Sequence, residues 1–167
     1  MSIFRACAYY ARIDLIPAAY LRDHAIKIVL VDRDNTCVPR STSQLVPEVM
    51  RWFEMVQKDM NIPIYIVSNN THVKQVNASA RELRCHAISH AMKPCPAAIT
   101  HLLQKLKIQP EEALFVGDQV FTDIVAANLS GCQSVLVRPQ SHKDLWYTYI
   151  LRLFELVLLR NTHFIGE

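Results

Sequence analysis

The regular alternation of apolar strands with helical segments most constrains the fold of this chain. Five short apolar segments rich in β-branched residues predict strands: IKIVLVD, IPIYIVS, CHAIS, EALFVGD and QSVLVR. Four segments between them predict helices: PEVMRWFEMVQKDM, THVKQVNASARELR, PAAITHLLQKLK and FTDIVAANLSG. Alternation with short joins predicts an α/β fold, in which helices cover both faces of a mostly parallel, five-stranded sheet.

Length, charge and cysteine content narrow the class of protein. A chain of 167 residues fits one domain, and a net charge of +3 is too small to indicate nucleic acid binding, so no such partner is expected. The five cysteines are odd in number and form no CxxC pair, which favours a reducing cytosol over a disulfide framework. No segment approaches the roughly 20 apolar residues of a membrane span, so a cytoplasmic location is expected.

Polar residues follow the predicted strands at the ends where parallel sheets bind their ligands. They are Asp32 and Asp34 after the first strand, Ser68, Asn69 and Asn70 after the second, Lys93 before the third helix, Asp118 after the fourth strand, and Asp123 just inside the next helix. We expect these groups to converge on one edge of the sheet.

Each of these groups has a task in phosphoryl transfer. Clustered carboxylates repel one another unless a hard cation such as Mg²⁺ joins them. One carboxylate can attack phosphorus, and a second carboxylic acid can protonate the leaving oxygen and later deprotonate water. Ser68 and backbone N–H groups at a helix start can hold phosphate oxygens. Lys93 can neutralise charge on the transferred group.

Four motifs in order give the chain a family resemblance. DRDNT resembles motif one of the haloacid dehalogenase (HAD) superfamily, IVSNN resembles motif two, MKP motif three and VGDQVFTD motif four. The stretches GDQVFTDIVAAN and RPQSHKDLWYTYILRLFE are similar to the YqeG family of subfamily IIIA phosphatases, and the similarity begins at YYARIDLIPAAYL. The resemblance implies a Rossmann-like HAD core.

The resemblance also implies roles for individual residues. Asp32 would be the nucleophile and Asp34 the general acid and base. Mg²⁺ would be held by Asp32, the backbone carbonyl of Asp34, and Asp118. Ser68 and Lys93 would bind phosphate, and Asp123 would support the metal site or orient Lys93. Asn69, next to Ser68, is a further candidate for contact with the phosphate, independently of the resemblance. Arg33 is expected to point to the other face of its strand and is assigned no catalytic part.

Several of these residues have simpler interpretations. Asp123 can be a first-turn acid that interacts with the helix dipole. Asn69 and Asn70 can be helix caps, as can Thr71 for the second helix. Lys74 in that helix is an alternative to Lys93.

The spacing between motifs leaves no room for a cap domain. Only residues 37–46 separate motif one from its helix, and the segment from Ser68 to Lys93 holds one helix and a short strand. We therefore expect residues 1–167 to form a single capless domain with an open site, which suits a bulky substrate.

A last helix is predicted over residues 144–160, with few polar residues among many apolar ones. A helix that is apolar on so many sides must bury more than one face. Packing on the core, a homodimer contact and peripheral membrane attachment through 145–159 all remain open.

The sequence favours a Mg²⁺-dependent phosphomonoester hydrolase that acts through an aspartyl phosphate. Its phosphorylated substrate would be bulky or lipid, and phosphatidylglycerophosphate is a candidate because some eukaryotic relatives of the YqeG family act on it. Two alternatives stay open: a HAD-fold binding or regulatory protein with little turnover, and a soluble sugar or nucleotide phosphatase.

Overall fold

The computed structural model describes residues 2–42, 44–141, 154–155, 158–160 and 162–167. Within these residues, six parallel strands form one sheet in the order β1-β6-β5-β2-β3-β4. The strands are β1 (Ala8–Tyr10), β2 (Ile28–Val31), β3 (Ile64–Val67), β4 (His86–Ile88), β5 (Ala113–Gly117) and β6 (Gln133–Val137).

Helices connect the strands and cover the sheet. They are α1 (Ala18–Asp23), α2 (Pro47–Glu54), α3 (Val73–Glu82), α4 (Ala97–Leu106) and α5 (Val125–Leu129). A π-helical turn continues α2 over Met55–Asp59, and a second one precedes α5 over Val120–Ile124. Short 3₁₀ turns lie at Ile13–Leu15 and Pro110–Glu112.

The two faces of the sheet carry separate apolar clusters, because successive side chains of a strand point to opposite faces. Val29 and Val31 of β2 belong to a cluster with residues from α1, α2 and α3. Ile28 and Leu30 belong to a second cluster with residues from α4 and α5. All four residues of β2 are buried, so the continuous apolar run of this strand is explained by helices on both faces.

The strand order fixes where polar groups can meet. From β2 the chain moves to β3 and β4 on one side, and it then returns to β5 and β6 on the other. The direction therefore reverses between β2 and β5, and such a reversal opens a crevice at the carboxyl ends of the strands.

The predicted number of strands was wrong, because the described residues form six strands rather than five. The additional strand, β1, is only three residues long and pairs with β6 at the edge of the sheet. A segment this short shows no periodicity, and its pairing partner lies far away in the sequence. The parallel α/β architecture is confirmed.

The predicted C-terminal helix, residues 144–160, lies largely outside the described residues. Where it is described, Phe154 and Leu158 are exposed and Glu155 is buried. Among the described residues, no helix is both long enough and apolar enough to cross a membrane.

Candidate active site

Three buried aspartates meet at the carboxyl ends of β2 and β5. Asp32 directly follows β2, and its backbone N–H donates to the carbonyl of Val116 in β5. Asp118 directly follows β5 and accepts a hydrogen bond from the Thr36 hydroxyl at 3.2 Å. One carboxylate oxygen each from Asp32, Asp118 and Asp123 lies within 4.8 Å of the others. The crevice between the two strands therefore concentrates negative charge.

The position of Asp123 depends on the small size of Gly117. Asp123 lies in the π-helical turn before α5, and its carboxylate accepts the backbone N–H of Gln119 at 3.1 Å. A Cβ atom at position 117 would lie 2.3 Å from the Cβ of Asp123, far inside van der Waals contact. Glycine at the end of β5 is thus required for Asp123 to approach the other two aspartates.

Lys93 lies inside the aspartate cluster. Its Nζ atom is 2.6 Å from Oδ1 of Asp32 and 2.8 Å from Oδ1 of Asp123. The same ammonium lies 5.2 Å from the centre of the Phe115 ring. Lys74, the alternative considered from the sequence, is exposed on α3 and does not line the cleft described below.

The charges in this cluster shift the pKa values of its members. Burial raises the pKa of Asp32 to about 7, and the carboxylates of Asp123 and Asp34 add to this rise while Lys93 opposes it. Burial by itself would lower the pKa of Lys93, but Asp123 and Asp32 together raise it above its usual value. Burial is thus the main reason why the pKa of Asp32 is raised, and a buried carboxylate of this kind is stabilised in its ionised form by an added cation.

The donor set fits a hard divalent cation. Carboxylate oxygens are the ligands that Mg²⁺ prefers, and Asp32, Asp118 and Asp123 offer three of them at close range. One lysine leaves this group of three carboxylates with an excess of negative charge. A bound cation would reduce the repulsion that raises the pKa of Asp32.

Asp34 is held by two arginines and an asparagine. Nη1 of Arg33 lies 2.5 Å from Oδ1 of Asp34, and Nη2 of Arg40 lies 3.4 Å from its Oδ2. The side-chain amide of Asn70 also donates to Oδ2 at 3.4 Å. Asp34 is therefore fixed at the mouth of the crevice, next to the buried cluster.

Arg33 has structural partners that the sequence analysis did not predict. It is buried, and its Nε atom donates to the Ser79 hydroxyl of α3 at 3.0 Å while its Nη1 atom binds Asp34. The signal in the sequence was an arginine between two aspartates at the end of a buried strand, because a buried guanidinium needs a partner. The alternation of strand faces alone does not predict this ion pair.

The loop after β3 carries the second motif and is hydrogen-bonded to the third motif at Lys93. The Ser68 hydroxyl is buried and accepts the backbone N–H of Asn70 at 3.1 Å. Asn69 binds the backbone of Lys93 twice, donating to its carbonyl at 2.8 Å and accepting its N–H at 2.7 Å. The suggestion that Thr71 caps α3 was wrong, because His72 is the N-cap residue and no side chain makes a capping hydrogen bond there.

These groups line one cleft of about 360 Å³. Its lining residues are Asp32, Asp34, Arg40, Ser68, Asn69, Asn70, Thr71, His72, Lys93, Gln119, Thr122 and Asp123. The structure thus brings Ser68, Asn69 and Lys93 to the same cleft as Asp32 and Asp34. Asp118 lies behind this surface, buried against Thr36.

Comparison with known proteins identifies the family. A family model for haloacid dehalogenase-like hydrolases matches residues 12–131, which is most of the chain. This chain belongs to the HAD family. The matched segment includes all four motifs and every aspartate of the cluster, so the resemblance inferred from the motifs is confirmed.

Individual relatives of this HAD protein agree with the family match. YqeG of Bacillus subtilis, named a probable phosphatase, is 30% identical over 135 residues, which cover 81% of this chain and 77% of YqeG. The mitochondrial phosphatidylglycerophosphatase of Saccharomyces cerevisiae is 28% identical over 126 residues, which cover 68% of each chain. The chain is accordingly a HAD-type phosphatase, a phosphoric monoester hydrolase.

A solved structure agrees with the fold. A subfamily III A HAD hydrolase from Legionella pneumophila superimposes with a TM-score of 0.50 at 14% identity, covering 83% of this chain and 85% of the other. At this identity the likeness concerns the fold alone.

Proposed function

We propose that this HAD phosphatase hydrolyses phosphomonoesters with Mg²⁺ through an aspartyl phosphate formed on Asp32. The observation that carries the proposal is the buried cluster of Asp32, Asp118 and Asp123 around Lys93, with Asp34 beside it. In this arrangement the proposed nucleophile Asp32 and the proposed proton donor Asp34 line one cleft, and Asp118 of the proposed cation site lies directly behind it.

The proposed cation site uses the Asp32 carboxylate, the Asp34 backbone carbonyl and the Asp118 carboxylate. Asp123 either supplies a further oxygen or holds Lys93 in place, and its 2.8 Å contact with Lys93 supports the second role. When bound, the cation supplies positive charge that reduces the repulsion between the phosphate and the carboxylates.

In the first chemical step, an Asp32 oxygen attacks phosphorus and the bond from phosphorus to the leaving alcohol breaks. Asp34 gives its proton to the departing oxygen, so the alcohol leaves neutral. Ser68, Asn69 and Lys93 hold the phosphoryl oxygens, and the ammonium of Lys93 balances their charge.

In the second step, Asp34 removes a proton from water, and the resulting hydroxide attacks the phosphorus of the aspartyl phosphate. The bond between phosphorus and Asp32 breaks, which releases phosphate and restores the Asp32 carboxylate. Arg33 keeps the Asp34 carboxyl group directed at the same place in both steps, because it binds one of the two Asp34 oxygens.

We further propose that residues 1–167 form a single capless domain that takes a bulky or lipid phosphate such as phosphatidylglycerophosphate. The short segments between the motifs support this, because between β2 and α2 the described residues hold no helix or strand. The name of the yeast relative supports the substrate. The free cysteines support a cytoplasmic location. Contact with a membrane surface or with a second copy through 145–159 stays a prediction.

The test measures phosphate release from lipid, sugar, nucleotide and small soluble phosphomonoesters, with Mg²⁺ or with EDTA. We expect Mg²⁺-dependent release that is highest on phosphatidylglycerophosphate and is lost in Asp32→Asn. Higher activity on sugar or nucleotide phosphates would favour a soluble metabolite phosphatase. No release from any substrate, or equal release by Asp32→Asn, would contradict the mechanism and favour a binding or regulatory protein.

A further inference from the structure

Arg40 is a second guanidinium beside the proposed acid and base. Oδ1 of Asp34 is already paired with the buried Arg33 at 2.5 Å, whereas Nη2 of Arg40 lies 3.4 Å from Oδ2. Charge-assisted hydrogen bonds of this type are usually about 2.7–2.9 Å long. Arg33 therefore provides the tight ion pair of Asp34, and Arg40 is not needed to balance that carboxylate.

The guanidinium of Arg40 keeps unused hydrogen-bonding capacity. Its side chain is 27% exposed, against 7% for Arg33, and it lines the cleft. Its Nε atom is buried and has no hydrogen-bond partner among the residues that the structure describes. Leaving a buried donor without a partner costs free energy, so a ligand that gives Nε a partner would bind favourably.

The backbone of Arg40 is anchored more firmly than its guanidinium, which makes the long 3.4 Å contact with Asp34. Its N–H donates at 3.1 Å to Oδ1 of Asn35, a buried residue whose φ of 66° places it in the left-handed region. The hydroxyl of Ser141 donates to the same oxygen at 2.6 Å. The loop after Asp34 thus fixes the backbone of Arg40 at the edge of the cleft. Because this backbone is already ordered, less conformational entropy is lost when the Arg40 side chain binds a ligand.

The two cationic side chains of the cleft lie at different parts of the site. The arginine and lysine side chains that line it are Arg40 and Lys93, and Lys93 is bound by Asp32 and Asp123 at the nucleophile. Arg40 instead lies beside Asp34, which under the proposed mechanism meets the leaving oxygen. A cation at that place faces the leaving group and not the transferred phosphoryl group.

We propose that Arg40 is a specificity residue that binds a second anionic group on the leaving alcohol, either a phosphodiester or a carboxylate. The inference rests on the proposed function, because it takes Asp34 as the residue next to the leaving oxygen. The planar guanidinium can bind two oxygens of such a group at once. Phosphomonoesters with a charged leaving group are then preferred over neutral ones of similar size.

The experiment compares kcat/KM for two pairs of phosphomonoesters that differ in the charge of the leaving group, and the first pair is also matched in size. Phosphoglycolate is compared with 2-hydroxyethyl phosphate, which has a hydroxymethyl group in place of the carboxylate. Glycerophosphoglycerophosphate, the deacylated headgroup of phosphatidylglycerophosphate, is compared with glycerol 3-phosphate. Phosphatidylglycerophosphate in detergent micelles is added to separate recognition of a lipid from recognition of its charge.

The variants are Arg40→Gln, which removes the charge, Arg40→Lys, which keeps it, and Arg51→Gln as a control. Arg51 is exposed on α2 and forms an ion pair with Glu48 of its own helix. We expect Arg40→Gln to lower the preference for the charged member of a pair about tenfold, the effect of losing one favourable charge contact of about 1.4 kcal/mol. Arg40→Lys should lower it less, and Arg51→Gln should leave it unchanged.

Equal losses on charged and neutral substrates in Arg40→Gln would overturn the proposal, because they would show that Arg40 acts only through Asp34. If Arg40→Gln does not fold, the test uses the parent protein. Its preference in kcat/KM for the charged substrate of each pair should fall as ionic strength rises, and a constant preference would overturn the proposal. Hydrolysis of all substrates without preference would leave the proposed function standing and remove this inference. Hydrolysis of none would remove both.

Discussion

At the scale of single residues, buried charges and their partners determine how the site behaves. Arg33 is 7% exposed and Asp34 is 13% exposed, so water screens their 2.5 Å ion pair only weakly. Removing one member of such a pair leaves the other charge buried without its main partner, and this usually costs more than the pair contributes. The stability of the site therefore depends on a residue that takes no part in the chemistry.

We predict that Arg33→Met destabilises the protein by about 3 kcal/mol, because Asp34 loses its main partner and Ser79 loses a donor. The matched control is Arg51→Met, whose exposed ion pair with Glu48 should contribute less than about 0.5 kcal/mol. Urea unfolding of both variants measures the difference. Equal stabilities of the two variants would show that the Arg33 pair contributes nothing beyond a surface pair.

The protonation of Asp32 gives a prediction for stability against pH. Its pKa is about 7 in the folded protein and 3.8 in the reference state, so between these values the folded state binds a proton that the unfolded state lacks. The free energy of unfolding of the metal-free protein must therefore fall as pH rises through this window. Lys93 stays charged throughout, because its pKa is raised.

The measurement is the free energy of unfolding from pH 5 to pH 8 in EDTA, for the parent protein and Asp32→Asn. The fall should be larger in the parent, by an amount on the order of a few kcal/mol, because the variant has no carboxylate to ionise. Added Mg²⁺ should reduce the fall in the parent by stabilising the ionised form. Parallel curves in EDTA would contradict the charge balance described for the cluster.

At the scale of elements, the join between β5 and α5 has to bring Asp123 against the strand end. A Cβ on Gly117 would overlap the Cβ of Asp123, and both atoms belong to parts of the chain that cannot easily move. We predict that Gly117→Ala costs about 1–3 kcal/mol, as overpacking usually does, and raises the Mg²⁺ concentration needed for activity.

Gly131→Ala is the matched control for that prediction. Gly131 has a φ of 78°, so alanine there is strained, but the position lies beside Pro110 and does not line the cleft. It should lower stability by about 1 kcal/mol without changing the Mg²⁺ requirement. Titration of activity with Mg²⁺ separates the two variants, and an equal shift in both would mean that Gly117 acts through general stability.

The elements that the sequence predicts are those with strong local patterns. The buried runs of β2, β3, β5 and β6 and the periodic faces of α2, α3 and α4 need only local information. Strand β1 is different, because its three residues become a strand only through pairing with β6 and through hydrogen bonds to Ile165. The hydrogen bond from Arg33 to Ser79 is missed for the same reason, since Ser79 lies 46 residues away.

At the scale of the whole molecule, the parallel sheet assembles a site from distant parts of the chain. Thr36 and Asp118 are 82 residues apart in the sequence, and Lys93 and Asp32 are 61 residues apart, yet both pairs are in hydrogen-bond contact. The motifs and their order predict which residues meet, because parallel strands end at one edge. They do not predict the ion pairs of Asp34. These depend on Ser79 of α3, which accepts a hydrogen bond from Arg33, and on Arg40 in the loop that follows Asp34.

The most direct test of the account is to detect the phosphoryl group on Asp32. The protein is mixed with Mg²⁺ and a phosphomonoester that has a good leaving group, stopped with acid within one turnover, digested, and analysed by mass spectrometry. The mechanism predicts one phosphoryl group on Asp32 in the parent, a longer-lived one in Asp34→Asn, and none in Asp32→Asn. Turnover with no label on Asp32, or with the label on another residue, would contradict it.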